Sequence, residues 1–159
     1  MIRFVVENLV RQNKAMLLLS ALLEEEFSRL QKGEPRSVSQ IELSIQELMR
    51  QIAVERASLR RLVGRVHAGA QRVSDLYPAV DETVRGELQG LLQILDDTEQ
   101  RCAVQAGKNK GLVTALYDQS RKLLGFMHEE VRPKPKNAYS AKGRFVNSYT
   151  GARLIQGRF

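Results

Sequence analysis

From Val38 to Leu76 apolar residues recur in alternating steps of three and four, through Val38, Ile41, Ile45, Leu48, Ile52, Leu59, Leu62, Val66, Val73 and Leu76. Only Glu55 and Gly69 break the series, and no proline falls within it. Such a seam is the mark of a long helix that buries one edge against a neighbour, and it is incompatible with the alternation of a strand. It predicts a helix from Val38 to about Leu76, roughly 58 Å long at 1.5 Å per residue, with fraying near Gly64 and Gly69. Ser37-Val38-Ser39-Gln40 reads as a capping box at its start.

The same spacing precedes it in Val6, Leu9, Asn13, Met16, Ser20, Leu23, Phe27 and Leu30, and Gly33-Glu34-Pro35 ends that first helix. Glycine accepts the left-handed residue that closes a helix, and proline prevents continuation. A turn this short makes the two helices antiparallel neighbours. After Tyr77-Pro78, with Pro78 placed as a first helical residue, a third seam runs Val84, Leu88, Leu91, Leu95, Thr98, Cys102, Gln105, Asn109, Leu112, Leu116, Gln119, Leu123 and Phe126. Its middle is polar and Gly107 and Gly111 each cost about 1 kcal/mol in a helix interior, so a long helix with a weak or kinked centre is expected. The fold class is therefore all-α: an antiparallel long-helix hairpin or three-helix coiled-coil-like bundle. With aromatics at 6% and no tryptophan, its core is built from Leu, Ile, Val and Ala.

Charge divides the chain in two. Arg132, Lys134, Lys136, Lys142, Arg144, Arg153 and Arg158 fall after residue 131, where there is no Asp or Glu, so the tail holds the whole net charge of +7. Residues 1–131 form a neutral helical body and residues 132–159 an extended basic tail that begins with Arg132-Pro133-Lys134-Pro135. The tail interleaves its bases with Tyr139, Phe145, Tyr149 and Phe159. Three readings fit it: a strand-binding arm for nucleic acid, a solvated terminus, or an arm that docks on another protein.

Nothing in the chain reads as catalytic, and neither metal nor cofactor is expected. His67 and His128 are far apart, with no ligand set at metal-binding spacing. Glu24-Glu25-Glu26 point in different directions around a helix, whereas acid–base work needs converging groups. Gly107-Lys108-Asn109-Lys110-Gly111 lacks the Gly-Lys-Ser/Thr ending of a phosphate loop. Cys102 stands alone, which excludes an intrachain disulfide, favours a reducing cytoplasm and fits a small core residue. The longest apolar stretch, Ala15 to Leu19, is far below the roughly 20 residues that a membrane span needs, and Glu7, Arg11 and Lys14 rule out a signal peptide.

Three features together resemble the FlgN family of flagellar type III export chaperones. One is a helix, a short turn and a charged helix bearing Glu55-Arg56-Ala57-Ser58-Leu59-Arg60-Arg61-Leu62. The second is Lys108-Asn109-Lys110-Gly111-Leu112-Val113, similar to that family's Asn-x-x-Asn-Gly-x-Leu-Leu/Ile signature, with Ala106 at the first asparagine position and Lys110 at the glycine. The third is Tyr139-Ser140-Ala141-Lys142-Gly143, similar to a Tyr-Gly-Ala/Pro-Asp-Gly segment. The resemblance implies a cytoplasmic chaperone that holds the C-terminal helices of the hook-filament junction proteins FlgK and FlgL and delivers them to the export gate component FlhA. It assigns gate docking to Tyr139. Position, rather than motif, nominates Leu112, Leu116, Leu123, Phe126, Phe145 and Tyr149 as client contacts, on the expectation that the third strip lacks a full set of partners in its own chain. The alternatives are a coiled coil that binds nucleic acid through its tail, the weaker reading because the body shows no basic stripe, and a structural coiled coil that self-associates.

Overall fold

The computed structural model describes residues 1–132 and the strand residues 138–139 and 145–146. Helix α1 spans Ile2–Lys32 and α2 Pro35–Val66; a 3-10 helix covers Val73–Ala79, and α3 runs unbroken over Glu82–Val131. Two short strands, β1 at Ala138–Tyr139 and β2 at Phe145–Val146, pair antiparallel with Ala138 opposite Val146. The chain divides into two compact units, Met1–Val113 and Thr114–Phe159, with the boundary inside α3.

The turn between α1 and α2 follows from local chemistry. Gly33 takes φ 68° and ψ 39°, a left-handed conformation that costs a residue with a Cβ about 1–2 kcal/mol. Its N–H donates to the Leu30 carbonyl and that of Glu34 to the Arg29 carbonyl, which closes a Schellman motif. Arg29 then bonds both the Ser37 carbonyl, at 2.9 Å, and Glu25, at 3.0 Å. Helix α2 starts at Pro35, earlier than the capping box implied: Glu34 is the N-cap residue, and no side chain caps the end. Proline fits the first turn because no amide is lost there. Ser37 is already helical, and Ser39 donates back to the Pro35 carbonyl instead of capping.

Along the hairpin Val5, Leu9, Met16, Leu19 and Leu23 of α1 meet Ile41, Ile45, Leu48, Ile52 and Val63 of α2 in one buried cluster. Glu55, the acid in the seam, has its reason: Asn8, fully buried, donates to its carboxylate at 2.7 Å and to its carbonyl at 3.1 Å. Arg11 adds a two-pronged ion pair at 3.2 Å. Gln12 donates to Asn8 and completes a polar layer whose buried donors are all engaged.

Helix α2 does not reach Leu76. It ends at Val66, His67 is extended, and Gly69 at φ 89° turns the chain. The 3-10 helix then returns Val73 and Leu76 to the core, so both are buried as the seam implied but on a separate element. Asp75 pins this corner by accepting the Gln71 and Arg72 amides, each at 2.9 Å, and those bonds hold its carboxyl below the usual range. Pro78 lies inside the 3-10 helix rather than at the start of α3. The cap there is Asp81, whose Oδ1 accepts the Val84 amide at 2.9 Å.

Within the first unit α1 and α2 pack closely, whereas α3 stands farther off and reaches them through side chains. The polar middle of its seam, expected to be weak, is where it is anchored. Asn13 donates to the Leu91 carbonyl at 3.1 Å, Cys102 to the Met16 carbonyl at 3.6 Å, and Asn109 to the Leu23 carbonyl at 2.8 Å and to Glu26 at 2.6 Å. Contacts that advance in the same direction along both helices make α3 parallel to α1. Arg56 of α2 adds an ion pair to Glu99 of α3. Thr98 is fully buried and turns its hydroxyl back on the Ile94 carbonyl. Buried asparagines of this kind fix register at some cost in stability.

Candidate binding surface

Of the residues that carry reactive chemistry, Cys102, Glu25 and Glu26 serve the fold. Cys102 is buried in the core, and desolvation pushes its thiol up, away from the reactive thiolate. Glu25 pairs with Arg29 and Glu26 receives Asn109, so these acids serve helix contacts. Residues 107–111 form part of α3 and are not a loop. His67 and His128 are exposed. Among the described residues no group of three His, Cys, Asp or Glu could hold a metal, and no helix is long and apolar enough to cross a membrane.

What stands out is the apolar surface of α3. In the first unit its inward stripe is Leu88, Leu95, Thr98, Cys102 and Asn109, all buried. Leu112 is half-buried and Val113 is 45% exposed. In the second unit every described side chain of the helix is exposed. Leu116, Tyr117, Leu124, Met127 and Val131 recur there at three- and four-residue spacing with Ser120 among them, so they share one face. Tyr117 and Leu124 are 66% and 67% exposed. A continuous apolar stripe left open to water is the feature that marks an interaction site, whereas single exposed leucines are ordinary.

The nominated residues distribute unevenly over this surface. Leu116 lies on the stripe, Leu123 on its edge, and Phe126, 63% exposed, about 100° around the helix from Met127. A strict seven-residue step drifts by about 20° per heptad against a straight α-helix, and over this length it leaves the face. Reading α3 with a 3.6-residue period would have found Tyr117, Leu124, Met127 and Val131, which the heptad reading missed. Tyr139 belongs to β1 and Phe145 to β2, while Tyr149 lies outside the described residues.

A family model described as FlgN protein matches residues 1–146, which covers the hairpin, α3 and the strand pair. No curated protein and no solved structure matches the chain.

Proposed function

The chain belongs to the FlgN family of flagellar export chaperones, and from that premise we propose that it works as a binding protein, holding the C-terminal helices of FlgK and FlgL in the cytoplasm and handing them to FlhA. The observation that carries this reading is the open apolar stripe on α3 between Thr114 and Val131. An amphipathic client helix laid along it would cover Leu116, Leu123, Leu124 and Met127 by the helix-in-groove mode. Leu112, Phe126, Phe145 and Tyr149 are further client contacts in this reading. Fully burying a side chain of this size contributes about 1.5–3 kcal/mol, against an association cost of about 4–15 kcal/mol. A handful of such residues therefore gives a complex that forms and releases, as a carrier requires. Tyr139 is the handle for the gate.

The test is co-elution of the full chain with C-terminal fragments of the two junction proteins and, separately, with the cytoplasmic domain of the gate component. A stoichiometric complex with at least one junction fragment is expected. Tyr139→Ala is expected to keep that complex and to lose gate binding by about tenfold or more, the scale of a lost aromatic anchor. Failure to bind either junction protein would remove the client assignment, and undiminished gate binding by Tyr139→Ala would remove the docking role.

A further inference from the structure

Between Glu55 and Asp75 the chain carries Arg56, Arg60, Arg61, Arg65 and Arg72, with no acid and no lysine among them. The neutral sum over the body conceals this run, and the fold makes use of it. Where the last turns of α2, the 3-10 helix and α3 come together in the first unit, a shallow cleft of about 360 Å³ opens. Its floor is aliphatic, from Leu59, Val63 and Leu92, and Arg56, Arg60 and Arg72 stand around it. Arg56 is held by Glu99, but among the described residues Arg60 and Arg72 form no salt bridge. The acid nearest Arg72 in sequence, Asp75, already spends its carboxylate on the Gln71 and Arg72 amides. Among the described residues, then, two guanidinium groups have no carboxylate paired to them beside an apolar floor.

We propose that this cleft docks an acidic peptide segment of a partner protein, one that sets a Leu or Val on the floor between glutamate or aspartate side chains. Arginine suits the task better than lysine: its weakly hydrated planar fork sits against apolar surface and grips a carboxylate with two bonds. The aliphatic floor selects against a bare inorganic anion, to which it offers nothing. It also selects against single-stranded nucleic acid, whose bases would need aromatic platforms, and among the described residues no aromatic side chain lines the cleft. The site is built from residues of the first unit and shares none with the α3 stripe of Thr114–Val131, so it stands or falls independently of the client-binding reading.

The experiment is an amide NMR titration of the full chain with a short labelled peptide that repeats Glu-Leu-Glu-Glu-Leu, paired with anisotropy measurements of its affinity. Saturable binding is expected, with shifts at Arg60, Val73 and Ser74. Arg60→Glu with Arg72→Glu is expected to weaken it by about tenfold or more, while Arg121→Glu in the second unit leaves it unchanged. Arg60 and Arg72 are both exposed, so the double variant should keep the wild-type circular dichroism. Shifts confined to residues after Arg132, an affinity indifferent to the double reversal, or tighter arginine-dependent binding of an oligothymidine would each overturn the proposal.

Discussion

Leu88→Ala is expected to lower the unfolding free energy by about 2–5 kcal/mol, the range for emptying a leucine site in a close-packed core. Leu88 is fully buried, on a helix that stands off from the hairpin and contributes only Leu88, Leu95 and Cys102 as buried apolar anchors. Losing one of the three fully buried apolar anchors leaves a cavity where α3 meets the hairpin, although Asn13, Asn109 and the half-buried Val84, Leu91 and Leu92 still hold it. Against a total stability of about 5–15 kcal/mol, such a change is large. Urea unfolding followed by circular dichroism reads it as a drop in midpoint with the slope preserved. Leu124→Ala, at a 67% exposed position on the same helix, should change the unfolding free energy by no more than about 0.5 kcal/mol. A Leu88→Ala cost under about 1 kcal/mol would mean that α3 is not packed on the hairpin as described.

Leu124→Glu with Met127→Glu should have the opposite profile, leaving stability intact and removing client binding. Both side chains are exposed, and glutamate is as good a helix former as leucine or methionine, so the free protein loses nothing. In the complex two apolar contacts disappear and two carboxylates would have to be desolvated. Together these effects correspond to a loss of about 100-fold or more in affinity for a junction-protein C-terminal fragment, since each factor of ten is about 1.4 kcal/mol. Isothermal titration with the fragment measures it. Phe126→Glu, about 100° off the stripe, should cost far less. Equal losses at Phe126 and at Leu124 would show that the heptad-phased strip, and not the straight stripe, receives the client.

Gly33-Glu34-Pro35 was legible because a turn of this kind is decided locally, by a left-handed residue and a missing amide. Ile41, Ile45, Leu48 and Ile52 were legible because over a few turns a step of 3.5 and one of 3.6 coincide. Farther along they part company: Val63 is buried where Leu62 and Val66 are half-buried, and on α3 the same drift carries the strip from Leu124 and Met127 to Phe126. The end of α2 was misplaced because Val73 and Leu76 are buried by a different element at the same apparent spacing. Ser37 looked like a cap, but Pro35 can begin the helix earlier. Asn13 and Asn109 read as interruptions, because their partners are main-chain carbonyls of another helix and leave no trace in a pattern of side chains. The arginines between Glu55 and Asp75 vanished into a balanced sum until the fold gathered three of them around one cleft. The all-helical class and the family resemblance, by contrast, were readable from the chain, and the match over residues 1–146 agrees with the latter.

Hydrogen–deuterium exchange of the full chain, free and saturated with a FlgK or FlgL C-terminal fragment, tests the client surface most directly. Slowed exchange is expected across residues 113–131, where every side chain past Val113 now faces water, with little change in the buried hairpin of α1 and α2. Protection confined to the hairpin, with residues 113–131 exchanging as fast in the complex as in the free protein, would contradict the account.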